Sequence, residues 1–178
     1  METKLKFAGG RSPRAAEIAE IDLGTLNTVW KLGGAHYLPL RLVLVAKLID
    51  RYAARLLAQK ANLTIPEWRV VAQLAMLTQG SVRKMARQAI VDPAEISRSA
   101  AKLEKRGLVR RQINDKDRRS PQFSLTEAGK ALFAKFHPDW AQFSATLVSQ
   151  LDAADTAAIE HGLTRIAREL LDLLGDEG

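Results

Sequence analysis

Between Asn62 and Leu125 the chain is punctuated so tightly that only short elements fit, and the punctuation says which they are. Thr64 is a helix cap, Pro66 suits a first turn where its missing N–H costs nothing, and Glu67 sits three residues after Thr64, as a capping box requires. That helix closes at Gly80, near Thr78, and Ser81 opens a second one through about Ile90, with Met85, Ala86 and Ala89 as its inward residues. Asp92, Pro93 and Glu95 repeat the start signal, with Glu95 as the reciprocal capping partner. This third helix runs to Arg106 and stops at Gly107, a residue suited to the left-handed turn that ends helices. Leu108 to Ile113 then reads as a strand, Asn114 to Arg119 as a polar turn, and Ser120 to Leu125 as the returning strand. Pro121 lacks a ladder donor, so this strand is expected at an edge or with an irregular start. Three short helices followed by a two-stranded β wing make residues 63–125 a winged helix-turn-helix domain in a mainly α chain.

The flanking segments ask for more burial than such a domain supplies. Leu38, Leu42, Val45, Ile49, Tyr52 and Leu56 step along one helical face that runs to about Ala61, while Leu40, Val43, Leu44 and Leu48 cover the faces left open. A helix apolar on two sides needs a second surface, and a partner subunit provides one. After Thr126, Phe133, Phe136, Trp140, Phe143 and Leu147 keep helical spacing, with Pro138 expected to kink or break the helix. Asp152 then caps a final helix bearing Ile159, Leu163, Ile166, Leu170 and Leu173 or Leu174. Residues 35–62 are therefore expected at a dimer interface, and the apolar stripes of residues 126–178 suit a core or that same dimerisation surface. Residues 1–34 form an N-terminal arm with a short accessory helix between Ala15 and Leu32.

The net charge of +7 is concentrated. Residues 81–120 hold twelve Lys and Arg against five acids, so this segment carries the whole excess and the remainder is neutral. A positive field confined to under a quarter of the chain suits phosphate neutralisation, and double-stranded DNA is the partner it implies. Other classes lack support. The three histidines are scattered, cysteine is absent, and there is no glycine-rich phosphate loop, so neither an enzyme nor a cofactor or metal is expected. An apolar signal core and membrane-length runs are missing too, and a cytoplasmic protein without membrane contact is expected.

The order of elements and the residues within them resemble the MarR family of bacterial transcriptional regulators from about Leu38 to Leu174. The resemblance is carried by Leu63-Thr64 with Trp68-Arg69-Val70, Asp92 with Ile96-Ser97-Arg98, the run Leu103 to Val109, Asp117-Arg118-Arg119, and Leu125-Thr126-Glu127-Ala128-Gly129. It implies an intertwined homodimer through N- and C-terminal helices, residues 35–62 and 126–178, a triangle in which first, fifth and sixth helices intertwine and two winged domains meet successive major grooves. Half-site centres would then lie roughly 34 to 36 Å apart on a pseudo-palindromic operator. It also implies a ligand-responsive repressor.

On the third helix Ile96, Ala100 and Leu103 form the inward stripe, which turns Ala94, Ser97, Arg98 and Lys102 outward. Arg98 has the chemistry to take guanine O6 and N7 together, small Ala94 permits close approach, and Ser97 suits a base or a phosphate. The competing assignment for Arg98 is a salt bridge to Asp117 or Glu95. Glu95 in turn is either a cap or an acceptor for cytosine N4. Ser81, Arg83, Lys84 and Arg87 are assigned to phosphates, which set register and not sequence. By resemblance, Asp117, Arg118 and Arg119 form the wing tip, with Arg119 entering the minor groove, Asp117 orienting it and Arg118 as the substitute. Resemblance also points to a cleft for a small aromatic or anionic effector, lined by His36, Tyr37, Arg41, Trp68 and Arg69, although Trp68 fits a core aromatic better and His36 a surface or helix-start residue. Two alternatives stay open: sequence-blind architectural DNA binding, and a winged-helix module for protein contacts.

Overall fold

A computed structural model describes Gly24, Thr28, Trp30 and residues 38–114 and 117–175, with the backbone alone described from Ile113 to Ser120. The elements are α1 (Leu38–Lys60), α2 (Ile65–Leu77), β1 (Gly80–Ser81), α3 (Val82–Ala89), α4 (Pro93–Lys105), β2 (Val109–Asn114), β3 (Asp117–Leu125), α5 (Glu127–Val148) and α6 (Ala153–Gly175). The result is the winged helix-turn-helix architecture. The chain divides into two compact units, 1–53 and 54–178, with the division inside α1.

In the first unit, Gly24, Thr28 and Trp30 are helical, and the rest of the expected accessory helix lies outside the described residues. Arg41 Nη2 donates to the Trp30 carbonyl at 3.0 Å, and its guanidinium carbon lies 5.6 Å from the Trp30 ring centroid. Leu38, Leu40, Val43, Val45 and Ile49 of α1 are exposed.

The second unit holds one core, built from the end of α1 (Leu57, Ala61), α2 (Trp68, Val70, Val71, Leu74), α3 (Met85, Ala86), α4 (Ile96, Ala100, Leu103), the sheet (Val109, Phe123, Leu125) and Phe136 of α5. Trp68 is at its centre. The ring stacks on Phe133 at 5.6 Å, meets Phe136 edge-on at 4.9 Å and leans on Trp140 at 5.5 Å, a preferred set of aromatic geometries. Only 4% of Trp68 is exposed, so its core role leaves no free ring face.

The sheet has three strands in the order β1-β3-β2, all antiparallel, where two were expected. Gly80 and Ser81 pair with Phe123 and Gln122. Two residues carry no alternation for a sequence reading to detect. The second hairpin strand also begins earlier than expected: β3 starts at Asp117, so Asp117-Arg118-Arg119 belongs to the strand and not to the turn. A ladder is made by the backbone, so polar side chains do not exclude a strand, and polarity is a poor mark of a turn. The register slips between Gln112, which faces Gln122, and Asn114, which faces Asp117; Pro121 lies in the slipped stretch, where its missing donor is tolerated.

Helix α5 continues through Pro138 from Glu127 to Val148, without the expected break. Pro138 is on the solvent side, where the carbonyl deprived of its partner is open to water. Helix α6 buries none of its residues, and Ile159, Leu163, Leu170, Leu171, Leu173 and Leu174 are all exposed. None of the described helices is long and apolar enough to cross a membrane.

Candidate nucleic-acid interface

Helix α4 is held from three directions. At its start the Asp92 carboxylate accepts from the Ala94 amide at 2.7 Å, satisfying a donor that the helix leaves unpaired. At its end Gly107, at φ 69°, donates to the Glu104 carbonyl at 2.9 Å while Leu108 donates to that of Leu103 at 3.0 Å, the paired bonds of a Schellman turn. Along its length Ile96, Ala100 and Leu103 are fully buried, and Ser99 joins them.

Two ion pairs fix α4 to α2. Arg69 Nη1 donates to Glu95 Oε1 at 3.3 Å, and Arg106 Nη1 lies 3.7 Å from Glu67 Oε2. Glu95 was expected as the reciprocal capping partner; it reaches across to α2 instead, drawn by the charge of Arg69. Arg69, expected beside a ligand cleft, is the residue that holds it. Glu67 does act as the capping partner on α2, accepting from the Thr64 amide at 2.8 Å, while Thr64 Oγ1 accepts from the Glu67 amide at 3.4 Å.

What remains outward is one continuous face. Ala94, Ser97, Arg98, Ala101, Lys102 and Lys105 are all exposed, separated by steps of three and one that keep them on one side of a 3.6-residue helix. Among the described residues no carboxylate lies within salt-bridge distance of Arg98; the competing pair with Glu95 is not formed, and the Asp117 side chain lies outside the description. On α3, Arg83, Lys84 and Arg87 are exposed, while half-buried Ser81 is committed as a cap, accepting from the Lys84 amide at 3.3 Å. An open depression of about 450 Å³ separates α3 from the start of α4, with Arg83 and Arg87 on one wall and Pro93 on the other.

The wing is anchored rather than loose at its base. Arg110 Nε donates to Ser124 Oγ at 2.8 Å, directly across the ladder. Thr126 is the junction. Its amide donates to the Leu108 carbonyl at 3.1 Å, its hydroxyl donates to the Gly107 carbonyl at 2.6 Å, and the same oxygen accepts from the Gly129 amide at 3.1 Å to cap α5. The cross-strand pair and the Arg69–Glu95 bridge were missed by sequence reasoning. A strand register would have revealed the first, whereas nothing local connects residues 26 positions apart.

A helix with a bare cationic face, seated on a helix-turn-helix and followed by an anchored hairpin, matches a known family model over residues 63–120, that of the MarR family. Residues 63–120 thus resemble the MarR family. Solved structures agree on the fold. A MarR/EmrR family transcriptional regulator from Acinetobacter sp. ADP1 superposes with a TM-score of 0.71 at 20% identity, covering 77% of this chain and 96% of that one. Sco3205, a MarR family transcriptional regulator of Streptomyces coelicolor whose structure is a complex with DNA, gives 0.69 at 20% identity over 84% and 93%. BpsR of Bordetella bronchiseptica, whose DNA binding is regulated by 6-hydroxynicotinic acid, gives 0.57 at 24% identity over 70% and 98%. No curated protein matches the sequence. The matched segment runs from the last residue before the α2 cap into β3, and so contains every residue of α4.

Of the other expected site residues, Arg41 is tied to Trp30, and Lys102 is exposed on α4. His36 and Tyr37 lie outside the described residues, as do the side chains of Asp117, Arg118 and Arg119.

Proposed function

We propose that this protein is a homodimeric transcriptional regulator that binds a pseudo-palindromic operator in double-stranded DNA. The observation that carries the reading is the outward face of α4: buried and doubly bridged behind, it offers small, polar and cationic side chains to solvent with no carboxylate to neutralise Arg98 among the described residues. An α-helix fits the major groove, and an arginine there takes guanine O6 and N7 together. Arg83, Lys84 and Arg87 supply phosphate contacts that fix register, and Arg119 of the wing enters the minor groove, with Arg118 beside it.

The dimer is supported by α6. A helix with no buried residue and six exposed large aliphatic side chains is not stabilised by its own chain, and burying each such side chain contributes about 1.5 to 3 kcal/mol. A second copy of the chain covers this surface, and the exposed apolar residues of α1 offer another of the same kind. The relative regulated by 6-hydroxynicotinic acid supports an effector of small aromatic or anionic character here, with Arg41, His36 and Tyr37 as the residues to receive it. Repression, relieved by that effector, is the simplest regulatory use.

The test is selection from random-sequence duplex with salt titrated in parallel, alongside sedimentation of the free protein. An enriched inverted repeat bound by a dimer is the expected result. Salt-sensitive binding without enrichment would move the function to architectural DNA coating, and the absence of binding would favour protein contacts.

A further inference from the structure

We propose that Ile90, at the turn between α3 and α4, is a specificity-determining residue that reads the methyl group of a thymine at the margin of the major groove. The proposal rests on the DNA-binding reading above and adds a position to it. Ile90 adopts φ 53° and ψ 50°, the left-handed region, in which an L side chain crowds its own carbonyl and a β-branched one is least at ease. Its amide donates to the Arg87 carbonyl at 3.4 Å, and that of Val91 donates to Ala86 at 3.1 Å, so the conformation is built into the end of α3. Glycine makes the corresponding turn at the end of α4, where Gly107 has φ 69°. Isoleucine makes it at a cost.

That cost is not offset within the free protein, because Ile90 is 90% exposed and gains nothing from burial. The fold needs the turn but not the isoleucine side chain, and a β-branched residue kept exposed at a strained position points to a contact made elsewhere. The surroundings say with what. Ile90 lies on the rim of the depression between α3 and α4, whose wall carries Arg83 and Arg87, one helical turn apart. The one acid there, Asp92, is already engaged by the Ala94 amide. Two exposed cations select a polyanion over an apolar peptide. Ile90 also stands four residues before Ala94, at the N-terminal end of α4, the end that contacts base edges when such a helix docks. In the major groove the apolar group on offer is the thymine C5 methyl.

The experiment uses the full chain and the duplex enriched by selection, with each thymine replaced in turn by uracil, which removes the methyl and nothing else. Wild type is expected to lose about fourfold in affinity at one position in each half-site, the worth of one buried methyl. Ile90→Ala and Ile90→Gly lose the contact in both half-sites, so they bind the parent operator about fifteenfold weaker and no longer distinguish thymine from uracil there. Both keep the wild-type affinity and salt slope on random duplex, because the phosphate contacts are intact. Ile90→Gly also keeps or raises Tm, which separates lost contact from lost fold. The proposal is overturned by an unchanged uracil profile in Ile90→Ala, by equal losses on operator and random duplex, or by a fall in Tm for Ile90→Gly. A wild type that binds no duplex brings down the DNA-binding reading itself, whereas specific binding with no uracil-sensitive thymine removes Ile90 alone.

Discussion

Replacing Arg98 by alanine separates base reading from general attraction to DNA, and the structure sets the size of each effect. The side chain is exposed and no described carboxylate pairs with it, so folding loses nothing when it is removed; alanine is if anything the better helix former at a solvent position. Binding is different. A bidentate arginine–guanine contact is worth about 1 to 3 kcal/mol, roughly five- to 150-fold in Kd. A two-fold operator is contacted by two copies, so the loss per dimer is about 2 to 6 kcal/mol when both half-sites carry the guanine. On random duplex only a charge is lost, and the slope of log Kd against log salt falls by at most about 0.9 per removed phosphate contact. Fluorescence anisotropy on operator and random duplex at several salt concentrations, with Tm as a control, reads all three quantities. Equal losses on the two duplexes at unchanged Tm would remove Arg98 from base readout and return it to the phosphate contacts.

Arg119→Ala is expected to weaken operator binding with less change in base preference than Arg98→Ala, measured by repeating the selection with each variant. Leu163→Glu combined with Leu170→Glu places charges on the uncovered face of α6 and should shift the sedimentation profile from dimer to monomer, with unaltered sedimentation counting against that face as the dimer surface. Gly129→Ala puts a methyl group into the Leu108 carbonyl, and overpacking of this kind costs about 1 to 3 kcal/mol, a Tm loss of several degrees by calorimetry; an unchanged Tm would show that α5 shifts freely. Glu127, hydrogen-bonded to Lys130 at 2.7 Å, titrates below the usual carboxylate range because of that bond and the ammonium charge. Its small contribution to stability is therefore present above the unfolded-state value and fades as pH falls through the folded one; an NMR titration of Lys130→Met should return the Glu127 midpoint toward normal.

The parts of this fold legible in the sequence are those set by short-range chemistry. Thr64, Asp92 and Thr126 cap the helices assigned to them, and Gly107 ends α4 in the conformation that glycine favours. The inward stripe of Ile96, Ala100 and Leu103 follows from helical period alone. What escaped is what depends on distance or on context. Glu95 is drawn to Arg69 by a helix packed beside it, and β1 exists only because β3 passes next to Gly80 and Ser81. Pro138 argues against a helix locally, yet its exposed face and the aromatic cluster on the opposite side of α5 carry the helix through. Trp68 fitted either a core or a ligand cleft from sequence, and only its three aromatic neighbours decide for the core.

The Thr126 junction has a mechanical consequence. One residue holds the end of α4, the root of the wing and the first turn of α5 through three hydrogen bonds, and Gly129 presses α5 onto the same carbonyl of Leu108 with no room for a side chain between them. There is no hinge at that point. A tilt of the first turn of α5 is therefore coupled to the end of α4 and the root of the wing, as torque passes along a welded shaft. In the proposed dimer, such coupling would let a change at α5 reset the spacing and pitch of the two DNA-facing helices without altering the helices themselves.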